Sequence, residues 1–266
     1  MRSLKRRVFC TEWVQILISI ISFLAIWQVI VVALKVPNHL VPSPLQIFLK
    51  FLTDWPLLIR DIRVTSVEML LGFGICVLLT VPFSVLVVWS PVLEQALMPL
   101  LIFTQTIPLI AVIPILIVWF GMGILPKVIV VFLLCFFNLL LLTISGLKSV
   151  EPEMIDLMRS MSASTSDVFL KVKLPASLPF IFDGMKLAAL LSVIGAVVAE
   201  IVGADYGLGH AIIYAINDLH TDLLFVVIFI LTAMGAVLYY FIEFLERIVL
   251  FWHVAVRKKE LIHDVG

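Results

Sequence analysis

Few residues of this sequence could do chemistry, and they stand out because nearly everything around them is apolar. Glu200 ends the run AALLSVIGAVVAE, and Glu68 sits near the start of an earlier run. An acid at membrane depth is costly, so it marks a function or a specific partner. Glu200 is expected at an outer gate or facing a solute. The competing reading is an interfacial acid that snorkels to water. Glu68 is a lesser candidate of the same kind. Thr104, Gln105 and Thr106 lie among Pro99, Pro108 and Pro114. Each proline removes a backbone donor and can kink a helix. Carbonyls freed in lipid need partners or a watery cavity. Thr104, Gln105, Thr106 and Pro108 are therefore expected to line a translocation path, with Asn138 joining from the next run. The alternative is that these polar groups bond neighbouring helices.

The second reactive-looking stretch is a polar island, Glu151 to Pro179, between two long apolar runs. Ser149 is expected to cap a helix beginning at Glu151 and Pro152. Met154, Leu157, Met158 and Met161 recur at helical spacing and form one ridge. A turn is expected at Ser162-Ala163-Ser164. Thr165-Ser166-Asp167 then caps a second short helix with Val168, Phe169 and Val172 on its apolar side. Pro175 and Pro179 are expected to break the chain after it. Helix–turn–helix at a membrane face suits a grip for a soluble partner. An ordinary long loop with two surface helices stays open on physics alone.

Bond-making chemistry finds little support. No Gly-x-x-x-x-Gly-Lys-Ser/Thr phosphate loop is present, so this chain is not expected to hydrolyse ATP. His39, His210, His220, His253 and His263 show no ligand spacing, and neither do Cys10, Cys76 and Cys135. Cys76 and Cys135 lie in apolar runs and read as packing residues.

The elements that must position these residues are dictated by composition. The 266 residues are 63% hydrophobic and 14% charged, with a mean hydropathy of +1.21. Soluble proteins carry about 25% charged residues. The chain is therefore expected to be an all-α polytopic membrane protein. No cleavable signal is expected ahead of the first run. A bilayer core needs roughly 20 apolar residues per helix, and six runs qualify: 13–34, 64–89, 97–120, 126–145, 180–202 and 223–252. Six spans put both termini on one side. Thirteen of the 18 basic residues fall there: Arg2, Lys5, Arg6, Arg7, Lys148, Arg159, Lys171, Lys173, Lys186, Arg247, Arg257, Lys258 and Lys259. Lys35, Lys50, Arg60, Arg63 and Lys127 fall opposite. The basic side is expected to be cytoplasmic and to carry the island. Trp13, Trp55, Trp89, Trp119 and Trp252 fall near span ends, as interfacial rings prefer; Trp27 is mid-span. In the outer loop, Ser43 is expected to cap a short surface helix with Leu45, Phe48, Leu49 and Leu52 on one face. Gly203, Gly207 and Gly209 read as a turn, with a close helix contact through Gly203 and Gly207 as the alternative.

The island resembles the cytoplasmic signature of ABC importer permeases: Glu-Ala-Ala, three residues, Gly, nine residues, Ile, one residue, Leu-Pro. Asp156-Leu157-Met158 falls at Glu-Ala-Ala, followed by Arg159. Ser162 falls at the Gly, ahead of Ala163. Val172 falls at the Ile, and Leu174-Pro175 at Leu-Pro. Ser162 is a physical departure: a positive-φ turn at a non-Gly residue costs on the order of 1 kcal/mol. Further tracts in the same order are Leu40 to Pro44, Leu71-Gly72-Phe73, Ile107 to Pro114, Trp119 to Gly123, Leu174 to Pro179 and Ala199 to Leu208-Gly209. Together they resemble the permeases of nitrate, sulfonate and taurine importers and their relatives for thiamine-pyrimidine precursors.

The resemblance implies a type I importer fold of six transmembrane helices, one permease domain over residues 1–266 with a coupling loop at 146–179. It implies a second permease copy, most simply a homodimer, and two ATP-binding subunits on the island. It also implies an extracytoplasmic solute-binding protein and a bacterial inner membrane. ATP and Mg would sit on the partner ATPase, with no cofactor on this chain and no nucleic-acid partner. A small organic anion such as a sulfonate, taurine or nitrate is the first expected solute, and a thiamine-pyrimidine precursor the second. The rivals are an ion-gradient secondary transporter, which would need coupled intramembrane charges and inverted repeats, and a membrane-embedded enzyme.

Overall fold

The computed structural model describes residues 2–250, all helical or in short connections, with no strand among them. The Trp252 end of the sixth run, His253, His263 and the cluster Arg257, Lys258 and Lys259 lie outside the described residues. So do the side chains of Arg2, Lys5, Arg6, Arg7, Cys10 and Trp13. The chain forms two compact units, one of Met1–Arg60 with Ala211–Ile230, the other of Asp61–His210 with Leu231–Gly266.

In the first unit, α1 (Arg2–Ala33) covers the first expected run. Trp27, the mid-span tryptophan, packs between Phe23 and Phe225, with ring centroids 6.2 and 5.7 Å away. α2 (Pro44–Thr53) starts on the expected cap: Ser43 Oγ accepts from Gln46 N, and Gln46 Oε1 accepts from Ser43 N. Both orphan donors of the helix start are thereby satisfied. Leu45, Phe48, Leu49 and Leu52 are exposed on it.

Next come α3 (Trp55–Trp89), α4 (Pro91–Gln105), α5 (Leu109–Phe120), α6 (Ile124–Lys148) and α7 (Pro152–Ser160). α8 (Thr165–Val168) passes through a π-helical turn, Phe169–Lys173, into α9 (Leu174–Gly203). α10 (Leu208–Asn217) and α11 (Thr221–Val249) complete the chain. α3, α6, the continuous helix Thr165–Gly203 and α11 are each long and apolar enough to cross a bilayer. α4 and α5 meet that test only as a pair, bent by 97°.

That bend departs from the single kinked third span expected from sequence. The break falls at one proline. Thr106 and Ile107 donate back to Phe103 and Thr104 carbonyls in tight turns. Pro108 has no N–H to continue the ladder and disfavours helix at the residue before it. Pro99 and Pro114 stay inside α4 and α5.

Three local expectations are corrected. Pro175 and Pro179 do not break the chain. Pro175 falls in the first turn of α9, where its missing N–H costs little, and the preceding turn already bonds five residues back, Leu174 N to Phe169 O. Ser149 caps the end of α6, donating to Gly146 O at 2.8 Å, and Glu151 is the N-cap of α7. Ser164, one residue before the expected group, caps α8 through a reciprocal pair of bonds with Asp167.

In the second unit α6 is the most enclosed helix, with Val130, Val131, Cys135, Leu139 and Leu140 all fully buried. It packs between α3 and α9 through small residues. A Cβ on Gly195 would lie 3.0 Å from Val131 Cα, and one on Gly72 2.5 Å from Val131 Cβ. Cys76 and Cys135 are fully buried in this core, and Cys135 Sγ donates to Ala188 O at 3.2 Å.

Candidate functional site

Three sites in the second unit gather the residues singled out by sequence. The first is the elbow formed by α7 and α8. Helix α7 closes with Ala163 N bonded to Met158 O and Ser162 N bonded to Arg159 O. This double closure requires a left-handed residue, and Ser162 supplies it at φ +62°. The position where the resembling signature carries Gly is thus the one that needs a positive φ. Asp156 and Arg159 are exposed, 3.9 Å apart. Met154, Leu157 and Met161 are also exposed, whereas Met158 is half-buried. No residue of α7 is buried. Ala163 lines a cavity of about 150 Å³ with Arg159, Phe169 and Trp89. Trp89, at the end of α3, meets Phe169 edge-on at 5.5 Å and fastens the elbow to the helices above it. Val172 lies in the π turn and Leu174-Pro175 in the first turn of α9, all half-buried.

The second site is a cavity of about 440 Å³ beside the α4–α5 break. It brings Thr104 and Gln105 together with Asn138 of α6, beside Val112, Leu134 and Phe137. Thr104 Oγ1 donates to Leu101 O at 2.9 Å, and Asn138 Nδ2 to Leu134 O at 3.2 Å. Among the described residues its wall carries amide and hydroxyl groups and an aromatic ring but no ionisable side chain. Thr106 and Pro108 form the break itself and are not in the wall; Thr106 Oγ1 donates to Phe103 O.

Glu200 is not in that wall either. It belongs to a third, closed site where α3, α6, α9 and α10 meet. Glu200 is 1% exposed and Glu68 2% exposed, so neither acid snorkels. Glu200 Oε1 accepts from Thr65 Oγ1 at 2.7 Å and Oε2 from Gly209 N at 2.6 Å. Leu208 N donates to Thr65 Oγ1, and Gly207 N to Asp61 Oδ1 at 3.1 Å. Glu68 Oε1 pairs with Lys127 Nζ at 2.7 Å. The glycines after α9 make a turn, as expected: Gly207 has φ +120° and lies against the Glu200 carboxylate.

Asp61, Thr65 and Lys127 were not singled out by sequence, though a signal existed. Asp61, Thr65 and Glu68 recur at i, i+4 and i+7, one polar stripe on a mostly apolar helix. Lys127 at the head of an apolar run needed an acid partner by the same cost argument that marked Glu68. Trp89 was read only as an interfacial ring, not as the fastening of the elbow.

The profile of the family described as "Binding-protein-dependent transport system inner membrane component" matches residues 72–250. The formylaminopyrimidine transport permease protein ThiX of Halalkalibacterium halodurans is 34% identical over 241 residues, covering 90% of this chain and 94% of that one. The putative aliphatic sulfonates transport permease protein SsuC of Bacillus subtilis is 31% identical over 242 residues, covering 90% and 88%. Among solved structures, a chain of the MetNI methionine ABC transporter in an inward-facing form aligns with a TM-score of 0.62 at 18% identity. That match covers 74% of this chain and 98% of that one.

Proposed function

This chain belongs to the binding-protein-dependent transport system inner membrane components and is a permease subunit of an ABC importer; from that premise we propose that it carries a small, uncharged nitrogen heterocycle across a bacterial inner membrane. Two copies form the pathway. Each elbow receives an ATP-binding subunit, and a solute-binding protein delivers cargo from outside. ATP and Mg sit on the partner ATPase. Both termini and the elbow face the cytoplasm, in keeping with thirteen of the eighteen basic residues.

One observation carries the coupling role. α7 has no buried residue, and Met154, Leu157 and Met161 stand exposed on it beside Asp156. An apolar ridge on a polar, ordered elbow is a surface built for a partner. Asp156, Leu157, Met158, Arg159, Ser162 and Ala163 form the contact. Val172, Leu174 and Pro175 pass its motion into α9.

The solute class rests on the cavity at Thr104, Gln105 and Asn138. An anion stripped of water there would meet no cationic side chain among the described residues of the wall, which is expensive. A flat heterocycle would find amide partners and the ring of Phe137. The formylaminopyrimidine permease among the relatives favours this reading, and the sulfonate permease favours its rival, a small organic anion.

Uptake into proteoliposomes tests both parts. The chain is reconstituted with its ATP-binding subunit and binding protein, and offered a labelled aminopyrimidine and a labelled alkanesulfonate. Uptake of the pyrimidine that needs internal ATP supports the proposal. Preferred uptake of the sulfonate overturns the solute class alone. ATP-independent uptake by the isolated chain overturns the importer reading.

A further inference from the structure

The closed site around Glu200 buries two acids, Glu68 and Glu200, beside the single ammonium of Lys127 that pairs with Glu68. Glu68 and Glu200 are 2% and 1% exposed, and both reach the same closed site: Thr65, one turn before Glu68 on α3, holds Glu200 Oε1 at 2.7 Å. Two carboxylate oxygens cannot bond to each other without a proton between them, and adjacent carboxylates do not both stay ionised. Four groups around the pair are already committed. Lys127 Nζ takes Glu68 Oε1, Thr65 Oγ1 takes Glu200 Oε1, Gly209 N takes Glu200 Oε2, and Asp61 is engaged with Gly207 N. Glu68 Oε2 remains, fully buried and without a hydrogen-bond partner. A buried orphan oxygen of this kind is rare in native structures.

We propose that Glu68 and Glu200 together bind one proton, carried on Glu68 Oε2 and donated to the Glu200 carboxylate. The proton comes from water, and no other bond changes. Every polar atom of the pair is then satisfied. Lys127 is the positive charge set against the one remaining negative charge of the pair. The titratable groups facing this proton are Glu68 and Asp61 from α3, Lys127 from α6 and Glu200 from α9. The proton is a constituent of the joint between α3 and the α9–α10 turn, not cargo, because both acids are enclosed.

The sign of the pH effect follows from linkage. The folded chain holds a proton that exposed, unfolded glutamates release well below neutral pH, so stability falls as pH rises through the release step. Losing the proton leaves two adjacent buried carboxylates and loosens the joint.

Infrared spectroscopy of the full chain in lipid nanodiscs tests this directly. At neutral pH the wild type should show the C=O stretch of a buried protonated carboxylic acid, slow to shift in D₂O. Glu68→Gln reproduces the protonated geometry, since its amide donates to Glu200 and its oxygen still accepts from Lys127. That variant should lose the band, keep the neutral-pH melting temperature, and no longer destabilise at alkaline pH. Glu200→Gln should also lose the band. The inference is overturned by a folded wild type with no such band. An alkaline transition that survives in Glu68→Gln overturns it too, as does a melting temperature that follows sodium concentration at fixed pH. None of these readouts involves solute or ATPase, so they stand or fall apart from the transport reading.

Discussion

Replacing Gly207 by Ala should damage the chain well beyond what one methyl group usually does. Gly207 has φ +120°, a conformation costing roughly 2 kcal/mol for a residue with a Cβ. The added Cβ would also overlap the Glu200 carboxylate, lying 2.7 Å from Oε2. The carboxylate must then give up Thr65 Oγ1 or Gly209 N, and a charge-assisted bond contributes about 2 kcal/mol. Against this, Ala restricts the unfolded chain and returns about 1 kcal/mol. The net loss is about 3 kcal/mol. For a chain of this size that corresponds to a melting temperature lower by roughly 6–12 °C. Thermal unfolding of the full chain in lipid nanodiscs reads it. A double-mutant cycle with Glu200→Ala isolates the cause. Removing the carboxylate opens the space, so the two losses should be less than additive by more than about 1 kcal/mol. Gly207→Ala melting within about 1 °C of wild type, or strictly additive losses, would refute the claim that this turn is shaped around Glu200.

Ser162→Gly should stabilise the elbow by up to about 1 kcal/mol by relieving a left-handed backbone, seen as a melting temperature raised by a few degrees; Ser162→Val should lower it. Leu157→Asp should leave melting unchanged, because the side chain is exposed, yet abolish co-purification of the ATP-binding subunit. Asn138→Leu should keep assembly and basal ATP hydrolysis while lowering solute uptake at least several-fold in proteoliposomes. Trp89→Ala removes an aromatic pair contributing about 1 kcal/mol beyond its buried area; proteolysis should cleave the 160–165 turn faster without a matching loss of ATPase binding.

Legibility varied with how local each cause was. The Ser43 cap was readable because its partner Gln46 is three residues away. The left-handed Ser162 was readable because the resembling signature carries Gly at that position. Thr104, Gln105 and Asn138 line one cavity, and the prolines near the first two forecast disrupted backbone there. Where the break would fall was not readable. Pro99, Pro108 and Pro114 are chemically alike, and only Pro108 follows two tight turns that had already left the helical ladder. The continuity of α8 into α9 was hidden for the converse reason, because a π turn has no composition of its own. The Glu200 site failed to emerge as a unit because its members are 135 residues apart from Thr65 to Glu200. A single acid announces a cost, but its compensation lies on other helices, and only packing says which.

The placement of these sites along one helix bears on how force could travel. α9 runs from Leu174 at the elbow to Gly203 beside the Glu200 turn without interruption, about 45 Å at the usual helical rise. Along it, Gly195 sits so close to Val131 of α6 that an added Cβ would lie 3.0 Å from Val131 Cα. Packed helices with such contacts move together or not at all. In the proposed coupling, a push on the elbow would be carried by α6 and α9 together. The compliance is placed at the α4–α5 break, where Pro108 interrupts the helical ladder. The cavity holding Thr104, Gln105 and Asn138 lies between the rigid α6 and that break. A rigid pair working against a hinge opens and closes the space between them. On the proposed function, the residues that meet a solute would be the ones whose separation changes, with Glu200 and its partners holding the far end of α9.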